Sequence, residues 1–249
     1  MKAKFSRILT LSGRNVKEMI RDPLGLTFNF VLPEAMLILF YLAFHSLTAQ
    51  FEMKYLCPSI VVFAQAFLTL FVGLLISVDT EGSYITRLYI AGGKADEFIA
   101  GYAFSTLPIA VLQAVIIFAT GIIIEPSFAT VYVLAGLVLS VFTALLFISF
   151  GLLFGSLFSA KSIGGVCSIV IAGQSVLSGM WFPLEDLPAG FITFLHCLPF
   201  KNATSLMIGA ANGLNFERGF IVPFLIVFAY TIAIFVFAVI AFSRRIKSK

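Results

Sequence analysis

Few residues of this sequence combine the type and the spacing that catalysis requires. Residues 92–95 read GGKA, the only near match to the phosphate-binding loop G-x-x-x-x-G-K-[ST], whose backbone N–H groups hold phosphates and whose hydroxyl holds magnesium. Leu88 stands where that motif has its first glycine and Ala95 where it has the hydroxyl, so we expect no ATP bound in this way. His45 and His196, the only histidines, lack an acidic or thiol neighbour at metal-ligand spacing. The sequence predicts no catalytic residue and no metal site.

Glu34 is the one clear carboxylate inside a long apolar stretch, directly after Pro33. If that stretch is a helix beginning near Leu24, the carboxyl lies near the middle of a bilayer, where an ionised group is costly. Two interpretations stay open. Glu34 lines a pathway or acts in a conformational switch, or it is a neutral acid hydrogen-bonded to Gln65 or to another helix.

Aromatic and polar side chains recur at helical spacing in later apolar stretches. Phe63, Phe67 and Phe71 share one helix face, which favours core or lipid contact over the alternative of substrate contact. A further stretch supplies small and polar groups, among them Gln174 and Ser178. Such groups suit close helix approach and hydrogen bonds between helices in a membrane.

The composition indicates that a membrane surrounds these residues. The chain has 249 residues, of which 60% are hydrophobic and 11% charged, whereas soluble domains have about 45–50% apolar and ~25% charged residues. Continuous apolar runs predict helical spans at residues 24–44, 57–78, 98–124, 128–158, 163–182 and 220–242. Strands of a barrel would instead alternate in polarity. We therefore expect an all-α membrane protein with six transmembrane helices.

The Lys and Arg residues predict how these spans are oriented. If the N-terminus is inside, six alternating spans place all but three of the 16 Lys and Arg residues on the cytoplasmic side, as the positive-inside rule requires. Lys54, Lys201 and Arg218 remain outside. Both termini are then cytoplasmic, and the net charge of +4 reflects topology and contact with anionic lipid. No nucleic-acid partner is needed to explain it.

Four segments outside the spans predict further features. Residues 1–23 are expected to form a cytoplasmic amphipathic interfacial helix, with a frayed basic tail as the alternative, and residues 24–249 form one six-span domain. Residues 79–97 suggest a short helix between glycine breaks, and residues 159–162 a tight turn. About 11 residues between Pro188 and Pro199 are too few to span, so they predict a short re-entrant or surface helix before the last span. The apolar face of the first segment is formed by Phe5, Ile8, Leu9, Val16, Met19 and Ile20.

Three segments together resemble the type-2 permease subunits of ABC exporters over nearly the whole chain. RDPLGLTFNFVLPEAML at residues 21–37 is similar to the family's R-[DN]-P start of the first span, and TEGSYITRLYIAGGKADEF at residues 80–98 is similar to its first inner loop. Residues 150–200 are similar to its G-x-x-[LI]-[GA], S-G-x-[FW]-[FI]-P and L-P elements. The matching residues there are Gly151, Gly155, Ser178, Gly179, Phe182, Pro183, Leu187, Pro188, Leu198 and Pro199. The inner loop departs from the family pattern at Ser83, Tyr84 and Gly92.

The resemblance implies a permease subunit of an ATP-driven exporter in the cytoplasmic membrane, without chemistry of its own. It implies a second permease subunit, identical or related, and two copies of an ATP-binding subunit that hold ATP and magnesium, while this chain binds no cofactor. Movement of the ATPases would be received at Glu81, Gly82, Ser83, Thr86, Arg87, Leu88 and Lys161. The translocation pathway would be lined by Glu34, Phe63, Phe67, Phe71, Gln174 and Ser178. Phe-rich spans suit amphipathic or hydrophobic cargo such as a drug, an antibiotic, a peptide or a lipid-like molecule.

Two other classes of function are alternatives to the exporter. A self-sufficient channel or ion-coupled secondary transporter would use Glu34 as its coupling group, although the sequence has no further intramembrane charge and no evident inverted repeat. An intramembrane enzyme would need a nucleophile and a base within reach of each other, and the sequence offers no such pair.

Overall fold

The structure, a computed structural model, describes residues 2–82, 84–182, 187–213 and 218–247. Within these ranges every regular element is helical, and six helices are long and apolar enough to cross a membrane. These six are Pro23–Phe44, Met53–Glu81, Ala95–Ile124, Tyr132–Leu157, Ala160–Leu177 and Gly219–Ile246. The prediction of an all-α membrane protein with six spans is confirmed.

The helices are numbered in chain order. They are α1 (Lys2–Ile20), α2 (Pro23–Leu26), α3 (Leu32–Phe44), α4 (Met53–Glu81), α5 (Tyr84–Ile90), α6 (Ala95–Ile124), α7 (Tyr132–Leu157), α8 (Ala160–Leu177), α9 (Ala189–Cys197), α10 (Pro199–Asn212) and α11 (Arg218–Lys247). A π-helical turn, Thr27–Val31, joins α2 to α3, and the three together form the first span. We call the end of the bundle with α1, α5 and the end of α11 the basic end, and the other the opposite end.

Helix α4 lies at the centre of the bundle. It packs against α3, α6, α7, α8 and α10, and residues 56–69 are all buried. A helix that is surrounded by protein must be apolar on every side, and the sequence of α4 is apolar over most of its length. The other spans therefore take their positions from their contacts with α4.

Two glycines allow α7 to approach the backbone of α4 closely. A Cβ atom at Gly151 would lie 2.7 Å from the carbonyl oxygen of Thr69, and a Cβ atom at Gly155 would lie 2.7 Å from that of Gly73. Both distances are too short for any side chain, and the obstructing atoms belong to the backbone. Close approach through small residues is the usual way that helices pack within lipid.

Hydrogen bonds between side chains and backbone extend this contact along both helices. Gln65 Nε2 donates to the carbonyl of Ser140 at 2.8 Å, and Thr143 Oγ1 donates to Gln65 Oε1 at 2.8 Å. One turn further, Thr69 Oγ1 donates to the carbonyl of Phe147 at 3.0 Å. Each such bond inside a membrane contributes about 0.6 kcal/mol on average. Close packing at the glycines and hydrogen bonds therefore both hold α4 and α7 together.

Helix α1 packs against α6 at the basic end. Ile8, Leu11 and Met19 are buried against the protein, whereas Phe5 and Leu9 are exposed. The predicted amphipathic helix therefore has two apolar surfaces. One binds the bundle, and the other remains free for the acyl boundary of a bilayer.

The predicted bounds of the fourth and fifth spans were wrong. The fourth span begins at Tyr132, because Pro126–Phe128 forms a 3-10 turn instead of helix. The fifth begins at Ala160, so the turn predicted at 159–162 is shorter, and it ends at Leu177 instead of Phe182. Gly179 follows with a φ of 76°, a left-handed conformation that stops a helix.

The segment before the last span contains two helices where the sequence predicted one. Helix α9 is the predicted short helix, and α10 follows it directly and is buried against α4, α7 and α11. Asn212, the last residue of α10, donates to the carbonyl of Lys54 at the opposite end. Phe200, at its start, stacks on Phe150 of α7 with ring centroids 6.2 Å apart, well inside the bundle. Helices α9 and α10 thus form a re-entrant hairpin.

Candidate functional site

Ion pairs attach α1 to the first turn of α6 at the basic end. Arg7 binds Glu97 through two hydrogen bonds of 2.9 Å, and Lys4 Nζ lies 2.5 Å from a carboxylate oxygen of Asp96. These side-chain hydrogen bonds raise the pKa of Arg7 and of Lys4. The two carboxylates also lie at the N-terminus of α6, where the helix dipole favours negative charge. The contact holds α1 in a fixed orientation on the bundle.

A second group of charged and aromatic side chains joins four helices, and we call it the Asp79 cluster: Arg14, Asp79, Tyr84 and Tyr102. Asp79 is only 3% exposed at the end of α4. Arg14 of α1 binds it with N–O distances of 2.5 and 2.8 Å, and the hydroxyl of Tyr102 of α6 donates to it at 2.6 Å. The Arg14 guanidinium also lies 4.5 Å from the ring centroid of Tyr84 in α5. A shift of α5 would therefore reach α1, α4 and α6 through this cluster.

The structure brings together the two segments that were predicted to contact an ATPase. Glu81 Oε1 accepts a hydrogen bond of 2.9 Å from the backbone N–H of Ala160, the first residue of α8. The other predicted coupling residues are exposed or half-buried at the same end: Gly82, Thr86, Arg87, Leu88 and Lys161. Ser83, also predicted, lies outside the described residues. The basic end thus presents α5 and the α7–α8 connection side by side.

The last turn of α7 is held by side chains from two other helices. Arg245 Nη1 of α11 donates to the carbonyls of Gly155 at 2.8 Å and Phe158 at 3.0 Å. Ser77 of α4 donates to the Phe158 carbonyl at 3.2 Å. A cation at a helix C-terminus also interacts favourably with the helix dipole. Helices α4, α7 and α11 are therefore fixed to one another beside the coupling segments.

The predicted pathway stripe on α4 is covered within this chain. Phe63, Phe67 and Phe71 are all buried. Phe67 stacks with Phe28 of the first span at 6.1 Å between centroids, and Phe63 meets the edge of Trp181 at 5.9 Å. The stripe could contact cargo only after the first span moves away from α4. Its role in the pathway stays a prediction.

Glu34 lies half-buried in the first span, beside α6. Thr120 of α6 supplies a side-chain hydrogen bond to its carboxyl, while Oε1 has no partner among the described residues. Of the two partners expected for a neutral Glu34, Gln65 or another helix, the contact is with another helix, α6. Gln65 faces the other way, toward Ser140 and Thr143 of α7, where both ends of its amide are occupied.

The π-helical turn before Glu34 creates a further polar contact that the sequence did not reveal. Asn29 Nδ2 donates to the carbonyl of Gly25 at 2.8 Å. Gln113 Nε2 of α6 donates to the carbonyls of Asn29 at 2.5 Å and Ala64 at 3.0 Å. Single π turns frequently mark functional positions in helices. Gln113 links the first span, α4 and α6 at the point where the first span departs from α-helical geometry.

Gln174 and Ser178 lie where the end of α8 meets the re-entrant hairpin. Gln174 Nε2 donates to Thr204 Oγ1 of α10 at 2.8 Å. Ser178 Oγ accepts from the backbone N–H of Met180 at 3.3 Å and lines an open cavity at the opposite end. Both residues therefore have structural partners, and their predicted part in the pathway remains untested.

The sequence matches the model of a known protein family. A family model described as ABC-2 type transporter matches residues 6–212. The match begins in α1 and ends at the last residue of α10, so it includes the Arg7–Glu97 ion pair and the re-entrant hairpin, whereas Lys4 precedes it. A search of curated proteins found no match.

Proposed function

The chain belongs to the ABC-2 type transporter family and is a multi-pass membrane component of transport, and we propose that it is the permease subunit of an ATP-driven exporter. Two copies of a separate ATP-binding subunit, which would hold ATP and magnesium, supply the energy. A second permease subunit, identical or related, completes the pathway. The observation that supports this division of labour best is the basic end, where exposed α5 and the start of α8 adjoin the Asp79 cluster.

The basic end faces the cytoplasm in this proposal. Lys4, Arg7, Lys17, Arg21 and Arg87 are exposed or half-exposed there. The positive-inside rule places such residues on the cytoplasmic side of the cytoplasmic membrane, with both termini inside. The re-entrant hairpin then opens to the exterior. ATP-binding subunits in the cytoplasm can reach the basic end only in this orientation.

Contacts at the basic end provide a route by which the ATPases move the spans. Helix α5 exposes Arg87 and Ile90, which a partner can contact. Its Tyr84 touches Arg14, and Arg14 binds Asp79 at the end of the central helix α4. The Glu81 carboxylate links the same end of α4 to α8. ATP binding then favours one arrangement of the two permease subunits, because the ATPases contact α5 differently in each.

The cargo in this proposal is amphipathic or hydrophobic. Phe63, Phe67 and Phe71 become accessible when the first span moves relative to α4, and they then offer aromatic contact to an apolar molecule. A drug, an antibiotic, a peptide and a lipid-like molecule all share this chemistry. The pathway lies between the two permease subunits, with α4 and α8 as its gates.

Reconstitution with the ATP-binding subunit tests the proposal. The chain should co-purify with that subunit, and proteoliposomes should move cargo only when ATP is present. Arg87→Glu should abolish co-purification, because it reverses an exposed charge on α5. Lys54→Glu, the same change at an exposed residue of the opposite end, should leave co-purification intact. Transport by the purified chain on an ion gradient alone would refute the proposal.

The alternative, an ion-coupled transporter, is favoured by one observation: Oε1 of Glu34 has no hydrogen-bond partner in the part of the chain that the structure describes. Glu34→Gln separates the two functions, because a neutral amide cannot exchange a proton. The exporter should keep ATP-driven transport in this variant, whereas an ion-coupled transporter should lose all coupling. Glu125→Gln, at the opposite end of α6, is the matched control for a carboxylate change outside the first span.

A further inference from the structure

An open cavity of about 730 Å³ lies at the opposite end of the bundle, between α4, the end of α8 and the re-entrant hairpin. Most of its polar lining is hydroxyl groups, including Ser59, Ser178, Thr204 and Ser205. Lys201 is the one formally charged side chain among the described residues that line it. The cavity therefore combines a cation with neutral donors.

Lys201 lies deep in the bundle, as measured along α10 from the opposite end. It is the third residue of α10, and Asn212 at the other end of that helix contacts the first turns of α4. A rise of about 1.5 Å per residue places Lys201 roughly 16 Å from Asn212 along the axis. That depth is about half of the ~30 Å hydrocarbon thickness of a bilayer. Charged residues at such depth are rare and usually mark a functional site.

The described surroundings of Lys201 do not neutralise its charge. Its ammonium lies 2.6 Å from Nε2 of His196, and no carboxylate of the described chain contacts it. An ammonium group has no lone pair, so Nε2 of His196 is the acceptor in this contact. Its position in the first turn of α10 is unfavourable for a cation and favourable for an anion.

Two hydroxyls of the cavity have their oxygens occupied as acceptors. Thr204 Oγ1 accepts from Gln174, and Ser178 Oγ accepts from the N–H of Met180. Neither hydroxyl donates to another group among the described residues, so both O–H hydrogens are available to a further acceptor. Lys54, at the mouth of the same end, differs from Lys201 because its charge is paired with Glu52 at 2.7 Å.

We propose that this cavity binds the anionic head group, phosphate or carboxylate, of an amphipathic molecule. Lys201 pairs with the head group, and the hydroxyls of Thr204 and Ser178 donate to it. Met180, Ile192 and Ile208, which also line the cavity, contact the apolar part. The molecule is either exported cargo on its way out or a lipid of the outer leaflet. The assignment to cargo rests on the exporter function proposed above, whereas the binding itself does not.

Trp181, the only tryptophan of the chain, provides the reporter for a test. It follows Met180 of the cavity, and its indole N–H donates to Ser175 at 2.8 Å. The full-length chain is placed in nanodiscs of phosphatidylcholine that contain brominated phosphatidylglycerol or brominated phosphatidylcholine, and quenching of Trp181 gives the relative affinity for each. Monododecyl phosphate and dodecylphosphocholine are then added as soluble single-chain probes.

We expect the anionic probe to be preferred by at least about tenfold, which corresponds to ~1.4 kcal/mol. Lys201→Gln should abolish the preference, and Lys54→Gln should preserve it. Preference for the brominated anionic lipid identifies a lipid site, and preference for monododecyl phosphate alone identifies a cargo site. Either result supports the proposal if the Lys201→Gln variant loses the preference. This variant must also unfold at the same denaturant concentration as the parent chain, which shows that its fold is intact.

Two results would overturn the proposal. One is a preference that is absent, or unchanged in Lys201→Gln, with both pairs of probes. The other is a preference that the parent chain lacks and that the double variant Glu185→Gln, Asp186→Asn shows. That result would mean that the carboxylates of Glu185 and Asp186, which lie outside the described residues, occupy the site in the parent chain. The quenching assay needs no ATP-binding subunit, so its result does not depend on whether the chain is an exporter. A negative result in the quenching assay would in turn leave the proposal of ATP-driven transport standing.

Discussion

Replacement of Arg14 by Gln should destabilise the folded chain more than any other loss of a single ion pair at the basic end. The change leaves the carboxylate of Asp79, which is 3% exposed, with only the Tyr102 hydrogen bond. Breaking a fully buried ion pair costs about 3–5 kcal/mol. The side chain of Arg14 is 34% exposed, so water can partly solvate the carboxylate once the guanidinium is gone. We therefore expect a loss of about 2–3 kcal/mol in the free energy of unfolding.

A double-mutant cycle isolates the contribution of the pair. Asp79→Asn should cost less, about 1–2 kcal/mol, since Arg14 keeps its 2.6 Å contact with Glu18 and its access to water. In the double variant no charge is left buried without a partner, so its loss should fall below the sum of the single losses by about 2 kcal/mol. Reversible unfolding in SDS-containing micelles, followed by Trp181 fluorescence, measures all four chains.

The pair Lys4 and Asp96 is the matched control, because both side chains are about half exposed, at 48% and 49%. Exposed ion pairs contribute about 0–1 kcal/mol, so the Lys4→Gln, Asp96→Asn cycle should give a coupling near zero. Equal couplings in the two cycles would refute the view that Asp79 is a buried anion held by Arg14. Strictly additive losses at Arg14 and Asp79 would refute it as well.

Two further predictions follow from contacts of α4. Gly155→Ala places a methyl group 2.7 Å from a backbone carbonyl of α4 and should cost about 1–3 kcal/mol of unfolding free energy. Gly164→Ala is the control, because no atom lies within 4 Å of a Cβ at that position, and it should be neutral or slightly stabilising. Equal melting temperatures of the two variants would contradict the close packing of α4 on α7. Glu81→Ala should lower cargo-stimulated ATPase activity of the assembled transporter several-fold while costing only about 1 kcal/mol of stability, because it removes one cap of α8. Unchanged stimulation would exclude the Glu81 carboxylate from coupling.

The spans could be predicted from the sequence because the bilayer imposes one simple requirement, a long apolar run. Helix α10 was missed because Lys201, Asn202 and Thr204 interrupt such a run, and their partners lie on other elements. Its polar residues are satisfied by tertiary contacts that a local pattern does not contain. The start of α8 was placed late for a related reason, since Lys161 and Ser162 read as a turn although they are helical.

The Asp79 cluster could not be predicted, because its members are distant in sequence and only the fold brings them together. Arg14 and Asp79 are 65 positions apart, and no spacing rule connects a basic residue of an interfacial helix to one carboxylate among several. Of the partners expected for Glu34, Gln65 was excluded because its side chain points to a different helix. Both Glu34 and Gln65 lie on neighbouring helices, but the sequence does not reveal that Gln65 is turned toward α7.

The glycine and hydrogen-bond contacts between α4 and α7 extend over most of their shared length, and Arg245 fastens the same pair to α11. Helices joined in this way change position together, as one stiff unit. A displacement of α4 at the basic end, where Arg14 binds it, is then transmitted along the unit to the opposite end of the bundle. The parts that yield are those attached by fewer contacts, the first span and α8, which lie on either side of that unit.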